Sequence, residues 1–221
     1  MATFKANEVD NYGGQGGAGF FSISNDMEVK QVRLMYRTID DVEGLSVHRV
    51  TTNDNKSRYI NCLREYTDPV DVCPLCASKK YPTQAKLFIP VYNIAEKQVQ
   101  VWDRGKTMFQ KISGMCARYA KDGNELVSTI FDVERHGKPK DTSTDYMFYP
   151  VTTDDVKLED LPEPTPVLGN LVLDMTAEEM ENFLATGSLS GSKSNNTQDE
   201  MPIRRRSEER RTPATNRGEA F

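Results

Sequence analysis

Four residues, His48, Cys62, Cys73 and Cys76, stand in the order His-x13-Cys-x10-Cys-x2-Cys and constrain the fold of this chain more than any other feature. Cys73-Pro74-Leu75-Cys76 is a knuckle whose spacing lets two thiolates reach one ion while the amides of the turn soften their charge. A third thiolate and one imidazole complete a tetrahedral shell with no open position, so the pattern predicts one structural zinc ion rather than a catalytic one. The structural alternative treats the cysteines as small buried hydrophobes and His48 as a satisfied polar group. A redox Cys-x-x-Cys normally opens a helix in an α/β setting, which this sequence lacks. Cys116 and His136 have the same ligand chemistry, and either can stand in for a named ligand.

Metal use agrees with the compartment. No apolar run approaches the roughly 20 residues that span a bilayer, and the first 20 residues lack a basic start followed by an apolar block. The expectation is an unexported protein with no membrane association, in a reducing setting that keeps four cysteines free for metal. The net charge of −5 argues against a polyanionic partner, but its distribution does not. Residues 48–150 carry 16 Lys and Arg against 12 Asp and Glu, whereas residues 151–185 carry one against nine.

The texture divides the 221 residues into four stretches. Residues 1–20 include Gly13-Gly14-Gln15-Gly16-Gly17, too free in the backbone to order cheaply, and are expected to form a flexible arm. Residues 21–150 hold short runs rich in Val, Ile, Tyr and Phe separated by turn residues. Seven strands are expected, at 29–36, 45–51, 58–62, 85–93, 98–102, 128–134 and 145–151, with a hairpin at 93–98. Met108, Ile112, Met115 and Tyr119 recur every three or four positions and predict an amphipathic helix. Many short strands with little helix suggest a mainly β barrel, with the zinc subdomain at about 48–80 inserted in it. Residues 151–185 form an acidic segment, in which Thr176 and Glu179 make a capping box for a short helix. Residues 186–221, dominated by Ser, Asn, Gly, Arg and Glu, are expected to be a disordered tail.

Cations and aromatics alternate at several strand ends. Lys79, Lys80 and Tyr81 follow the knuckle, and Lys86 begins the next strand. Trp102 precedes Arg104 and Lys106, while Arg135, Lys138 and Lys140 lie near Tyr146 and Phe148; Arg58 and Tyr59 add another pair. Single-stranded nucleic acid is held by this combination, with cations along the phosphates and rings on which bases stack. No Walker loop, dinucleotide-binding glycine fingerprint or HExxH sequence is present, and two histidines are a poor supply for triad chemistry, so a non-enzymatic protein is expected.

In sum of these motifs, the chain resembles the zinc-containing, helix-destabilising single-stranded DNA-binding proteins of tailed bacteriophages. The resemblance rests on His48, Cys62 and the Cys73–Cys76 knuckle, on Lys79-Lys80, on the strand 85–91, and on Val101-Trp102-Asp103-Arg104-Gly105-Lys106 leading into a helix. It covers roughly residues 30–150. It implies an OB-fold barrel with an inserted zinc subdomain that coats single-stranded DNA without sequence preference during replication, recombination and repair in the host cytoplasm. Phosphate contacts would fall on Lys79 and Lys80, and base stacking on Trp102, Tyr146 and Phe148. The acidic segment 151–185 would recruit replication and recombination proteins and compete with DNA; a zinc-stabilised adaptor binding replication or transcription proteins through that segment is the alternative. Relatives carry a basic N-terminal arm that drives self-association along DNA, whereas Met1 to Phe20 offers only Lys5. The Arg204-Arg205-Arg206 run is either a cooperativity element moved to the other terminus or a solvated tail.

Overall fold

The computed structural model describes residues 19–189 apart from 124, 140 and 142; most of the expected arm and the tail beyond 189 lie outside the described residues. Strands β1 (Val29–Leu34), β2 (Glu43–Thr51), β3 (Ser57–Asn61), β4 (Thr83–Asn93), β5 (Gln98–Gly105), β6 (Thr129–His136), β7 (Asp145–Thr153) and β8 (Val172–Leu173) form one mixed sheet. Its order is β7-β6-β1-β4-β2-β3-β8, with β5 paired to β4. All pairings are antiparallel except β3 with β8. The seven expected strands are present, with ends shifted by a few residues.

The long strand β4 organises the sheet. Its first half pairs with β2, from Thr83 opposite His48 to Phe88 opposite Glu43, and its last residues pair with β1, where Val91 faces Leu34. Its other edge pairs with β5 through the hairpin at 93–98, where the Asn93 side chain caps the turn by accepting from the amides of Ala95 and Glu96. Helix α2 (Phe109–Asp122) follows β5. Its Ile112 and Cys116, with Met108 just before its first residue, are buried in one cluster with Leu34, Trp102, Phe131 and Tyr146, and Met115 and Tyr119 pack at the margin, so the apolar period of the sequence is the packed face.

The sheet curls without closing. β5 and β7 share no backbone ladder. The β5 edge is taken instead by residues 19–21: Phe21 donates to the Val101 carbonyl at 2.9 Å and the Val101 amide to Gly19 at 3.0 Å. Aromatic side chains bridge the remaining gap, with the Trp102 ring centroid 4.8 Å from Tyr146 and 6.0 Å from Phe148. An open, curled sheet therefore stands where a barrel was expected.

The acidic segment is built into this body. After β7, residues 158–167 cross the outer face of the sheet, where Val167 and Val172 pack with Val47, Tyr59, Phe88 and Val101. β8 then extends the sheet beside β3, and α3 (Ala177–Thr186) packs on the metal knuckle. The Thr176 and Glu179 capping box forms as expected. The helix ends at Gly187, whose φ of 69° is left-handed. A β-carbon there would meet the Asn53 side chain at 2.2 Å, and Asn53 ties the helix end down by donating to the Thr186 and Gly187 carbonyls. Among the described residues, no helix is long and apolar enough to cross a membrane.

Candidate metal centre and surrounding basic residues

Three backbone elements bring the four candidate ligands together. His48 lies on β2 opposite Ile60 of β3, and Cys62 follows the end of β3, its amide donating to the Ser46 carbonyl. Cys73 is the N-cap of the one-turn helix α1 (Pro74–Ala77), which starts at proline and carries Cys76. The four ligand atoms all lie within 4.8 Å of one another. Cys62 Sγ to Cys76 Sγ is 3.6 Å, and His48 Nε2 is 3.4 Å from Cys73 Sγ and 3.6 Å from Cys76 Sγ. A tetrahedron with metal–ligand bonds of about 2.0–2.3 Å has edges of roughly 3.3–3.8 Å, so these residues fit one ion between them.

The surroundings orient the ligands. His48 Nδ1 lies 2.8 Å from the Tyr81 carbonyl, so the tautomer that donates there leaves Nε2 with a free lone pair aimed at the sulfurs. Burial lowers the His48 pKa, partly offset by that bond, which keeps the ring neutral as a ligand must be. Burial pushes the Cys73 thiol up, but backbone hydrogen bonds from Cys76, Leu63 and Leu75 outweigh it and leave the thiol below its ordinary value. The Cys76 thiol is pushed up to about 11, by burial first and then by Cys62 and Cys73, while the Thr83 hydroxyl at 3.0 Å acts in the opposite sense. Three sulfurs this close repel one another as thiolates, and a bound dication removes that repulsion. Cys116 is buried against α2's own core and His136 sits at the end of β6; neither belongs to the cluster.

A layer of apolar side chains roofs the site. Val50, Ile60, Leu75, Leu173, Met175, Met180 and Phe183 enclose Cys73, and Tyr81 packs on Phe183 at 5.8 Å. Leu173 to Phe183 come from the segment that charge counting marks as acidic. Its period of buried Met180, Phe183 and half-buried Leu184 was the available signal for a docked helix.

The sequence-marked cations and aromatics separate into two sets. Lys79, Lys80, Lys106 and Lys138 are exposed. Lys79 has φ of 55°, and the Lys80 ammonium lies 5.1 Å from the Tyr81 ring centre. Lys86 is half-buried, with its ammonium 3.3 Å from Asp103 and over the Tyr59 ring. The second set is structural. Trp102 is fully buried and Tyr59 and Tyr146 nearly so, with Phe148 half-buried beside them. Arg104 stacks over Trp102 and Tyr146, 4.4 and 4.5 Å from their ring centres. Tyr59 donates to Asp103 at 2.7 Å. Arg58 is buried on β3. Arg135 is 3% exposed and staples the β6–β7 connection, donating to the Ile23, Gly137 and Lys138 carbonyls and to Thr144. Lys140 lies outside the described residues. Rings without a free face stack no base, so Trp102, Tyr59 and Tyr146 hold the core together. Tyr66, in the loop between Cys62 and Cys73, is 97% exposed, and its place between two ligands was the signal that could have marked it.

The fold and site define a mainly β protein with a closed Cys3His cluster. A scan against protein-family models finds no match to the chain, and a search of curated proteins finds none either.

Proposed function

We propose that this chain is a non-enzymatic single-stranded DNA-binding protein whose four-ligand cluster holds one structural zinc. The observation that carries this reading is the position of Lys79 and Lys80. They leave the knuckle exposed, three and four residues after Cys76, next to the four clustered ligands that a bound ion would tie together. Zinc suits three thiolates and one imidazole in a closed shell, and such a shell has no open position for chemistry.

The element order supports an OB fold left open on one side. A three-stranded unit of β1, β4 and β5 is followed by a helix and then by the β6–β7 hairpin, with β6 returning beside β1. The cluster and its loops are inserted between β1 and β4. In this reading the phosphates follow Lys79, Lys80 and the exposed Lys106, and bases stack on Tyr81 and Tyr66 in place of the buried tryptophan. In this reading the activity serves DNA replication, recombination and repair in the host cytoplasm, as the resemblance to phage helix-destabilising proteins implies.

The test is a titration of fluorescent oligo(dT) at several salt concentrations. Binding should be much tighter than to duplex and should weaken with salt. Lys79→Ala with Lys80→Ala should reduce the slope of log affinity against log salt by about 1.4, the value for two lost phosphate contacts on a single strand. Equal affinity for duplex and single strand would defeat the reading. A second reading, a zinc-stabilised adaptor for replication or transcription proteins, is favoured by one observation: α3 buries Met180 and Phe183 while holding Glu178 and Glu181 outward and exposed. A protein that ignores oligo(dT) but captures such partners through α3 would support it.

A further inference from the structure

The strap of residues 158–167 does not lie flush on the sheet. Beneath it runs a cleft of about 580 Å³. Its floor is apolar, formed by Met35, Phe88, Pro90 and Val101, and its roof is the proline run Pro162, Pro164 and Pro166. The charged groups on its rim are Arg37, Asp41, Glu43, Glu159 and Glu163. Arg37 is already engaged by Glu159 and Glu125, and Asp41 accepts from the amides of Arg37 and Thr38. Glu43 and Glu163 have no hydrogen-bond or ion-pair partner among the described residues. The cleft therefore offers an apolar trough with two uncommitted carboxylates.

We propose that this cleft is the docking site for the chain's own segment 201–206, Met201-Pro202-Ile203-Arg204-Arg205-Arg206. The segment has the complementary order, three apolar residues and then three cations. Arginine suits such a rim because its methylene stem lies along apolar surface while its planar fork pairs with carboxylates. The tail also reaches. From residue 189 to residue 202 the extended chain spans up to about 45 Å at roughly 3.3–3.6 Å per residue, against a radius of gyration of about 15 Å for a body of this size. Docking joins the basic tail to the acidic part of the same chain and does not depend on the nucleic-acid reading.

The experiment uses the full chain. Trypsin should cut at Arg204–Arg206 at least fivefold more slowly in the wild type than in a variant carrying Glu43→Gln and Glu163→Gln. Glu178→Gln with Glu181→Gln, which removes equal charge from α3, should leave the wild-type rate within twofold. In parallel, a full chain with Arg204, Arg205, Arg206, Arg210 and Arg211 changed to Ser leaves the cleft free for a fluorescein-labelled peptide of residues 199–213. That peptide should bind, and adding the two cleft substitutions should weaken it at least tenfold. Equal trypsin rates in wild type and cleft variant, protection that appears only when oligo(dT) is added, or peptide binding indifferent to Glu43 and Glu163 would each overturn the proposal.

Discussion

The Met180 thioether lies 3.9 Å from the Cys73 sulfur, joining the last helix to the metal knuckle across 107 positions of sequence. Both groups are fully buried, so the helix roofs the side of the site that the strands leave open. Truncating Met180 to Ala should cost about 2–5 kcal/mol, because the roof cannot collapse onto a knuckle held by its ligands. For a chain of this length each kcal/mol lowers Tm by roughly 2–4 °C. With the site loaded with metal, the same variant should release the ion to a chelator faster, since solvent then reaches Cys73. A lower Tm with unchanged release would show that α3 stabilises the body but leaves the metal site to itself.

Metal affinity should fall as pH falls. The Cys76 thiol is raised, by burial above all, so the metal-free site keeps that proton at neutral pH and must release it on binding. Acid therefore favours the metal-free form, and apparent affinity should drop about tenfold per pH unit for each proton released. Competition against a chromophoric chelator at pH 6, 7 and 8 measures this. An affinity constant across that range would mean that the thiols ionise before metal arrives.

How far the sequence reaches is clearest from these elements. The ligand set was legible because coordination demands particular residues at particular spacings, and no neighbour can substitute for a thiolate. The strands and α2 were legible because half-buried elements write their period into the chain. Burial of the aromatics was not. Trp102 and Arg104 alternate on β5 as they would at a binding surface, and only the sheet's curl shows that this face meets Tyr146 across the core. Net charge also misled: residues 151–185 are acidic by count, yet Val167, Val172, Leu173, Met180 and Phe183 within them are buried. The failure to close into a barrel follows from Gly19 to Phe21 occupying the β5 edge, a long-range pairing that leaves no local signal.

Trp102 should report on the core rather than on ligands. Its ring is inaccessible, so its emission should be blue-shifted and weakly quenched by acrylamide, and oligo(dT) should not quench it by direct stacking. Trp102→Ala should cost about 3–5 kcal/mol. Trp102→Phe should cost much less, because it also removes the indole N–H, which is buried without a hydrogen-bond partner among the described residues. Thermal melts of the two variants separate these cases; strong stacking-type quenching by oligo(dT) would contradict the buried position.

Arg33 and Asp154 tie the C-terminal end of β1 to the chain just past β7. Arg33 is 6% exposed; its guanidinium donates to the Val127 carbonyl at 3.0 Å and to both Asp154 oxygens. Removing the carboxylate with Asp154→Asn leaves a largely buried cation with one weakened partner. A fully buried pair would lose about 3–5 kcal/mol, but the Asp154 side chain is 40% exposed and water takes up part of the loss, so about 1–2 kcal/mol is expected. The Arg33 hydrogen bonds hold the Asp154 carboxyl below its ordinary range. A depressed carboxyl pKa contributes stability that is full above the unfolded value near 3.9 and is lost as pH falls through the folded value. Wild type and Asp154→Asn should therefore differ in denaturant midpoint at pH 7 and converge as the pH falls below the depressed folded-state pKa of Asp154. A difference that persisted in acid would assign the loss to packing instead of charge.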